Sequence, residues 1–534
     1  MLPMTLRRYL RPSIRMEPHV AHWYAWPHLV SPVTAALNIT HRHLPILESY
    51  IADPETHAAA IEDSAMTGGP FVDYGGQRVD EIVSLLEETR RRCRPQLELA
   101  RDVAALEAKV QAHGDGRPLE PLYADVPETL RGMVELVYDT HHHPGVRYLE
   151  PLLYRSAMYN ESLQGLVFDR DEKDDRKFVL STPRLDGAGA VFADVAFRSL
   201  DIDRLFSMRE QPADIDHVMG MFRAPDEGNI DSLVDRFFTT QPPRRPQRHV
   251  GPAVRVRYFG HACVLLETGS TSVLVDPVVS YDYPAAPSRF TCLDLPERID
   301  YVLITHNHQD HVMLETLLQL RHRITTILVP SSAVGSLQDP SLALLLRMLG
   351  FRDVRSLDML DELPIEGGRL VALPFLGEHS DLRIDGKTGW LVELGGQRIV
   401  FATDSRNLSP DLYRRLALLI APVDLLFIGM ECDGAPLSWL YGPLLGRPIA
   451  RAYDNARSLS GCDAAMANDI VRQLRARRVF VYAMGQEPWL NHVMCLRYTP
   501  KSLPIVESDR LLKECRSRGV PAERLFASRE MLLG

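Results

Sequence analysis

The chain has 534 residues, too many for one hydrophobic core, so we expect about two to four domains. Its net charge of −10 argues against a general nucleic-acid binder, and no apolar run is long enough for a membrane span. Seven scattered cysteines without a CxxC pair are typical of a reducing compartment. Residues 1–8 lack the apolar core of a secretion signal, so the sequence predicts a cytoplasmic protein.

Residues 1–240 carry no catalytic motif, and their mixed pattern predicts an α+β domain. Apolar spacing and the positions of Gly and Pro predict helices over 79–92, 95–113 and 218–238, and paired strands over 178–180 and 190–197. The charge run 169–177 predicts an exposed turn. We interpret this domain as a dimerisation module, a docking module or a wall of the active-site pocket, with a homodimer as one expected assembly.

A proline-rich segment separates this region from the rest of the chain. Pro242, Pro243 and Pro246 exclude helix and sheet, and no apolar residue interrupts them, so 241–252 is a predicted linker. The second domain is then expected over 253–534.

One stretch of the second domain carries a clear chemical signal. The apolar run 301–304 predicts a buried strand, and it is followed at once by His306, His308, Asp310 and His311. Burying such side chains without partners is costly, but a two-metal site requires them. His306 and His308 lie two apart, so in an extended segment they point to the same side and can bind one metal. A second histidine run, at 141–143, precedes a turn and is better explained as a solvated loop.

Further predicted strands end in polar side chains, and such strand ends gather at one edge of a layered α/β domain. The candidate metal ligands among them are Glu378 or His379, Asp404 and His492. Asp404 offers two carboxylate oxygens and can bridge two ions. Asp276 is expected to hydrogen-bond a ligand histidine. Glu431 also follows a predicted strand and is a candidate for proton transfer, although a plain surface glutamate explains it equally well.

The segment from His306 to His311, with Asp276 before it and Asp404 after it, resembles the metallo-β-lactamase fold. The resemblance covers about residues 250–500 and implies an α/β class domain, an αββα sandwich with a two-metal site at one edge. The turn at His261 and the segment 377–381 look like the lactonase-like branch of that fold. His261 and His379 are accordingly expected to support the ligands.

The length, the long N-terminal region and the ligand pattern are similar to those of the family of the diiron β-hydroxylase of chloramphenicol biosynthesis. This resemblance implies an O2-dependent monooxygenase with two iron ions, supplied with electrons by an external reductase. In that family a glutamate replaces a histidine ligand of the hydrolases, and by position that role falls on Glu378. Its added carboxylate favours iron over zinc. The implied ligands are, for one iron, His306, His308 and Glu378; for the other, Asp310, His311 and His492; and, as bridge, Asp404.

The same resemblance implies a substrate and a partner. The substrate is an amino acid held as a thioester on a carrier domain of a nonribosomal peptide synthetase. Trp439 and Tyr441 favour an aromatic one such as p-aminophenylalanine. A carrier domain is usually acidic, so the arginines of 90–94 are a candidate docking patch. The alternative function is a dizinc or manganese hydrolase of lactones or phosphoesters, which a His379 ligand in place of Glu378 would favour.

Overall fold

The computed structural model describes residues 7–170, 172–187, 190–222 and 230–534. Its N-terminal part mixes short strands with helices. The strands are β1 (Arg7–Leu10), β2 (Arg15–Val20), β3 (Trp23–Tyr24), β4 (Val134–Tyr138), β5 (Pro144–Tyr148), β6 (Gln164–Asp169), β7 (Val191–Ala193), β8 (Ala213–Asp214) and β9 (Phe238–Thr239). The helices are α1 (Pro27–Val30), α2 (Pro32–Asn38), α3 (Leu44–Ala52), α4 (Pro54–Glu62), α5 (Val79–Arg92), α6 (Arg94–Gln111), α7 (Glu150–Leu153), α8 (Leu200–Ser207), α9 (Asp216–Met219) and α10 (Ile230–Phe237).

The longest helices of this part agree with the sequence prediction. In α5, the buried residues Ile82, Leu85, Leu86 and Thr89 recur at helical spacing and face the core. Acidic residues occupy the first turn of α5 and arginines the last turn, which matches the helix dipole. The same amphipathic spacing continues in α6.

The predicted strands of this part are less well reproduced. Residues 178–180 do not form a strand. Thr182 donates its backbone N–H to the carbonyl of Phe178 (3.1 Å), which closes a turn, and the N–H of Val179 goes to the carbonyl of His492 (2.9 Å). Only Val191–Ala193 of the predicted strand 190–197 is extended, and it pairs with β6. Of the predicted helix 218–238, α9 and α10 cover the two ends, and residues 223–229 lie outside the described part of the chain.

The C-terminal part contains long strands. They are β10 (Val254–Gly260), β11 (Cys263–Glu267), β12 (Ser272–Val275), β13 (Ile299–Leu303), β14 (Ile324–Pro330), β15 (Val354–Leu357), β16 (Glu362–Ile365), β17 (Gly368–Leu373), β18 (Gly389–Leu394), β19 (Gln397–Thr403), β20 (Leu425–Gly429), β21 (Val479–Tyr482), β22 (Ala522–Arg524) and β23 (Arg529–Leu533). The helices are α11 (Leu314–Leu320), α12 (Leu342–Met348), α13 (Pro410–Ile420), α14 (Ser438–Tyr441), α15 (Arg451–Ala456), α16 (Ala464–Gln473), α17 (Asn491–Met494) and α18 (Leu503–Ser517).

These strands form two seven-stranded mixed sheets. The first has the order β15-β14-β13-β12-β11-β10-β23, and the second β16-β17-β18-β19-β20-β21-β22. Each sheet is antiparallel in one half and parallel in the other; β12 to β15 are parallel in the first, and β19 to β22 in the second. The carboxyl ends of the parallel strands therefore meet at one edge of the molecule.

The layers confirm the predicted αββα sandwich. Between the sheets lies an apolar layer that includes Val264, Val273, Trp390 and Phe401. The outer face of the second sheet packs against α13, α16 and α18. The outer face of the first sheet packs against α11 and α12, and the same core continues into the N-terminal part. In the described residues, no helix is both long enough and apolar enough to span a membrane.

Candidate metal centre

The predicted ligands lie where strands end. His306 and His308 follow β13, Glu378 follows β17, and Asp404 directly follows β19. His306 is fully buried, while His308 and Glu378 are 6% and 7% exposed. Because β13 belongs to the first sheet and β17 and β19 to the second, the two sheets meet at these side chains.

The structure brings six predicted ligands together in three overlapping groups. Within each group, one nitrogen or oxygen of every member lies within 4.8 Å of the others. The groups are His306, His308 and Glu378; His306, His311 and Asp404; and His261, Asp310 and His311. Since neighbouring groups share a histidine, the side chains form one continuous polar cluster with room for two adjacent ions.

Asp276 orients two of the imidazoles. Its Oδ2 accepts a hydrogen bond from Nδ1 of His311 (2.9 Å) and from the hydroxyl of Thr305 (2.7 Å). Because the Thr305 hydroxyl proton is used in that bond, its oxygen accepts from Nδ1 of His306 at 3.0 Å. With Nδ1 held in these hydrogen bonds, both histidines turn Nε2 toward the cluster. Such carboxylate–histidine pairing is characteristic of metal ligands.

Those two Nε2 atoms converge on Asp404. Its Oδ2 lies 3.0 Å from Nε2 of His311 and 3.7 Å from Nε2 of His306. Neither nitrogen has a hydrogen-bond partner among the described residues, although both are buried. A Cβ at Gly429 would come within 2.4 Å of the other oxygen, Oδ1, so a glycine is required there. One carboxylate oxygen between two histidine groups is the geometry of a bridging ligand.

His261 holds the neighbouring carboxylate, Asp310. The backbone N–H of Gly485 donates to Nδ1 of His261 (3.1 Å), so the proton of this imidazole is on Nε2. Nε2 then donates to Oδ2 of Asp310 at 3.0 Å. Burial opposes the charge of Asp310, but His311 and His261 outweigh it and hold the pKa of this carboxyl below its ordinary value. Both nitrogens of His261 are thus used, which agrees with a supporting role.

Glu378 sits in a strained loop. Its φ is +64°, and Ser380 and Asp381 also have positive φ, a conformation rarely adopted by residues with a side chain. Oε1 of Glu378 lies 2.6 Å from Nδ1 of His308. The other ring nitrogen of His308 is 3.1 Å from the hydroxyl of Tyr441. Nδ1 of His308 and Oε1 of Glu378 therefore point toward the same space, and the strain serves to place Glu378 there.

The geometry favours Glu378 over His379 as the ligand of this group. Nδ1 of His379 lies 2.6 Å from Oε2 of Glu378, whereas Nδ1 of His308 lies 2.6 Å from the other oxygen, Oε1. Burial lowers the pKa of His379 to about 4, so its imidazole is neutral near pH 7. His379 is not a member of any metal-binding group in the described part of the chain. Its ring packs against that of His308, with centroids 4.5 Å apart.

His492 is placed differently from the prediction. It is fully buried, but it groups with Glu17 and Glu315, and its Nε2 lies 3.7 Å from Oε2 of Glu315. The reason is that His492 lies on α17, a turn of helix that follows β21 by about ten residues and faces the N-terminal part. The histidine of the group with Asp310 and His311 is His261.

The partners of His492 form a buried ion-pair cluster at the domain junction. Nη1 of Arg176 contacts Glu315 (2.9 Å) and Glu17 (3.0 Å), and Arg184 contacts Glu17 (2.5 Å). We call these five residues, Glu17, Arg176, Arg184, Glu315 and His492, the junction cluster. Arg176 belongs to the charge run that was predicted to be an exposed turn, yet only 8% of its side chain is exposed. Because arginines already neutralise both carboxylates, the junction cluster does not require a metal.

A cavity of about 370 Å³ opens onto the metal centre. His308, Asp310, Glu378 and Asp404 line its base. Its walls come from three segments: 64–68 of the N-terminal part, 433–440 after β20, and 494–497 after α17. The sequence offers no motif at 64–68, so the contribution of the N-terminal part to this cavity was not predictable residue by residue.

Glu431 also lines this cavity. Burial raises its pKa well above the ordinary value, and the nearby carboxylates Asp310 and Asp404 raise it further. Glu431 is therefore a carboxyl group that faces the metal centre and is a candidate for proton transfer.

The donor set fits a diiron cluster. Three imidazoles and three carboxylates supply only nitrogen and oxygen atoms, and a carboxylate-rich set of this kind suits iron. The two buried Nε2 atoms lack a hydrogen-bond partner and converge on the same carboxylate oxygen, an arrangement that a bound cation would satisfy.

Comparisons with known proteins agree with this centre. The model of the diiron non-heme β-hydroxylase N-terminal domain matches residues 9–242, and a β-lactamase superfamily domain matches residues 255–433. The 4-amino-L-phenylalanyl-[CmlP-peptidyl-carrier-protein] 3-hydroxylase of Streptomyces venezuelae is 41% identical over 99% of this chain and 100% of its own length. This chain belongs to the diiron β-hydroxylase family. It is a non-haem diiron hydroxylase that uses O2.

Solved structures extend the match to the whole fold. The crystal structure of CmlA, a diiron β-hydroxylase from S. venezuelae, is 41% identical and superposes with a TM-score of 0.92, covering 99% of this chain and 100% of that chain. A single-residue variant of CmlA gives 40% identity and a TM-score of 0.87 with the same coverage. These matches support the predicted hydroxylase and not the hydrolase alternative.

Proposed function

We propose that this enzyme hydroxylates the β-carbon of an aromatic aminoacyl group that is held as a thioester on a peptidyl carrier domain. The observation that carries the proposal is the 41% identity, over the whole chain, to a hydroxylase of carrier-bound 4-aminophenylalanine. A reaction of the same type, in the biosynthesis of an antibiotic of the chloramphenicol kind, is the natural setting. A dedicated electron-donor reductase and a homodimer remain predictions.

We propose one ligand set for the two irons. His306, His308 and Glu378 would hold one iron, Asp310 and His311 the other, and Asp404 would bridge them. The support is the grouping of these six side chains and the convergence of the His306 and His311 nitrogens on one oxygen of Asp404. The chemistry supplied by this centre is the reduction of O2 and the oxidation of a substrate C–H bond to C–OH.

The fate of the two atoms of O2 sets how many electrons and protons must reach the site. One oxygen atom enters the substrate and the other leaves as water, so two electrons and two protons must reach the site. The chain carries no flavin or nicotinamide fingerprint, so the electrons come from outside. Glu431 lines the cavity together with Asp310 and Asp404 and is positioned to carry one of these protons.

The cavity walls select the aminoacyl group. Trp439 lines the cavity and stacks against Phe178 of the N-terminal part, with ring centroids 5.6 Å apart. Its indole N–H donates to the carbonyl of Gly68 at 3.1 Å, which fixes the ring plane. A rigid indole at the wall suits an aromatic substrate. It also gives the N-terminal part a role as a wall of the active-site pocket.

The test uses purified protein with iron quantified against zinc. The probe is the CmlP peptidyl carrier protein, the carrier named for the S. venezuelae relative, loaded with 4-aminophenylalanine. It is offered to the purified protein after the protein has been chemically reduced and exposed to O2. We expect two irons per chain, O2 consumption and a β-hydroxylated product on the loaded carrier. Free 4-aminophenylalanine is the control and should remain unmodified. Two zincs and no O2 consumption would rule the proposal out.

A further inference from the structure

A basic, exposed segment lies beside the active-site cavity. It runs from Gly442 through α15 and carries Arg447, Arg451 and Tyr453, all of which are exposed, Tyr453 to 69%. Among the described residues, neither arginine forms an ion pair. Arg447, Arg451 and Tyr453 thus form a positively charged exposed surface on a chain whose net charge is −10. Arginine and tyrosine are the side chains most enriched at binding hot spots.

The arginines of 90–94 differ from this segment. Arg90 pairs with Glu48 (2.6 Å), Arg92 with Glu88 (2.8 Å), and Arg94 with Glu98 (2.9 Å). Carboxylates of the same chain thus neutralise much of the patch that the sequence suggested as a docking site. An acidic partner would have to compete with these intramolecular pairs.

The segment borders a groove. A space of about 1000 Å³ separates α6 from residues 442–449. Val103 and Ala108 line one side and Leu444 and Ile449 the other, and the carboxylates of Glu107 and Asp454 also belong to the lining. Arg447 lies at its rim, so the groove combines an apolar floor with a positive edge.

Helix α15 is tied directly to the wall of the active-site cavity. Asp454 accepts hydrogen bonds from the backbone N–H (2.8 Å) and the hydroxyl (2.5 Å) of Ser438. The next residue, Trp439, lines the cavity. Leu459, just after α15, donates its N–H to the carbonyl of Ala435, another wall residue, at 2.8 Å. Asp454 is the one acid on α15, and Ser438 occupies both of its oxygens, so the exposed face of the helix stays positive.

The same helix is tied to the loop of Glu378. The guanidinium of Arg457 donates to the carbonyl of Ser380 through Nε (3.1 Å) and Nη2 (2.7 Å). The hydroxyl of Ser380 donates back to the carbonyl of Arg457. Residues of α15 and its C-terminal end therefore hydrogen-bond directly to the wall of the active-site cavity and to the loop that carries Glu378.

We propose that the face formed by Arg447, Arg451 and Tyr453, with the adjoining groove, is the docking surface for the acidic carrier domain. The inference rests on the proposed function, because a thioester-tethered substrate requires its carrier to sit within one arm's length of the cavity. An acidic carrier helix fits the apolar groove while its carboxylates pair with the two arginines. Rim charges of this kind set the association rate and its dependence on salt.

The test compares the double variant Arg447→Glu/Arg451→Glu with Arg415→Glu, which changes an exposed arginine of α13 that lines no part of the cavity. The probe is again the 4-aminophenylalanyl carrier domain. For the double variant we expect about a tenfold or greater rise in KM, with kcat within about twofold and iron content unchanged. The control should match the wild type.

Three outcomes separate the possibilities. An unchanged KM in the double variant would overturn the docking surface while leaving the proposed function intact. A change in oligomeric state without a change in KM would assign the face to a second copy of this chain and also overturn it. If the wild type fails to hydroxylate the loaded carrier, the proposed function fails. The docking surface is then judged by titrating the unloaded carrier domain onto both proteins, where equal affinity overturns it.

Discussion

The metal centre and the junction cluster contain the same kinds of side chain, but they balance the negative charge of their buried carboxylates in different ways. Both bury carboxylates against histidine, with Glu378 beside His308 in one and Glu315 beside His492 in the other. At the junction, Arg176 bridges the two glutamates at hydrogen-bond distance. At the metal centre, the carboxylates pair with histidines, and no arginine or lysine of the described residues forms an ion pair with them.

The difference teaches that counter-charge, and not the presence of Glu and His, identifies a metal site. Buried carboxylates need a positive partner, because desolvation otherwise costs several kcal/mol for each ion. In the junction cluster, the positive charges belong to side chains of the protein itself, the arginines. The metal centre leaves that role to bound metal ions.

The largest expected effect follows from removing the guanidinium of Arg176, which Glu17 and Glu315 share. Arg176→Met leaves Glu17 and Glu315 buried without their shared partner. We expect the free energy of unfolding to fall by about 3–5 kcal/mol, because breaking a buried ion pair from one side leaves an uncompensated charge. Urea unfolding of the iron-free protein measures this.

Arg244→Met is the matched control for this variant. Arg244 is half exposed and pairs with Asp294 at 2.6 Å. Surface pairs contribute about 0–1 kcal/mol, so this change should be nearly silent. Equal losses in the two variants would show that the junction cluster is no more than a set of surface-like pairs.

The next effect concerns the metal centre. Asp276→Asn keeps the shape of the side chain but removes the charge that holds His311 and, through Thr305, His306. We expect affinity for Fe²⁺ to fall by about 10- to 100-fold, as it does when supporting carboxylates are lost elsewhere. Competition with a chelator at fixed Fe²⁺ measures the change.

Asp381→Asn provides the comparison for Asp276. Asp381 is exposed in the loop of Glu378 and has a φ of +63°, which asparagine also tolerates. It should bind iron as the wild type does. If both asparagine variants lose iron equally, then overall charge near the site, and not the hydrogen bond to His311, governs affinity.

The structure brings six predicted ligands together, and the signals that pointed to them are local. Asp276, His306 and Asp404 each lie within three residues of a strand end, and Asp310 and His311 follow in the same loop as His306. Parallel strands of one sandwich necessarily bring those ends to one edge. The short N-terminal strands carry no comparable periodicity, which is why residues 178–180 were wrongly assigned.

The sequence could not predict the junction cluster, because its members come from distant parts of the chain. Arg176 stands in a charge run, and nothing local shows that it meets Glu315 at 2.9 Å. His492 follows strand β21 by about ten residues, and strand-end reasoning cannot decide on which side of the sandwich such a residue lies. Only the packing of the N-terminal part against α11 settles it.

A smaller effect tests whether His492 is an iron ligand. His492→Gln should leave two irons per chain, whereas His311→Gln should lose iron. Of these two histidines, it is His311 whose Nε2 lies near Asp404 (3.0 Å) and Asp310 (3.5 Å). Metal analysis of both variants after identical reconstitution makes the comparison. Loss of one iron in His492→Gln would restore it as a ligand and would overturn the division between the two clusters.

The smallest effect is a pH dependence at the junction. Burial, followed by the charge of Arg176, lowers the pKa of His492 from 6.5 to about 4. Between these values the unfolded chain binds a proton that the folded protein does not, so stability falls as pH drops from 6.5 toward 4. His492→Gln removes at most one such proton, and its unfolding free energy should change less steeply, by up to about 1.4 kcal/mol per pH unit.

Measuring iron-free protein between pH 6.5 and 5 isolates this contribution. The pKa of Glu315 is lowered to about 2, because Arg176 outweighs the effect of burial. A carboxyl with a depressed pKa loses its stabilising effect only as pH falls below its ordinary value of 4.5, outside this window. Other buried histidines, such as His28 and His322, titrate alike in both proteins and cancel in the difference. Parallel stability curves for wild type and variant would mean that His492 is already charged in the folded protein, held by Glu315 as an ion pair. The junction would then balance its charges with a histidine as well as with arginines.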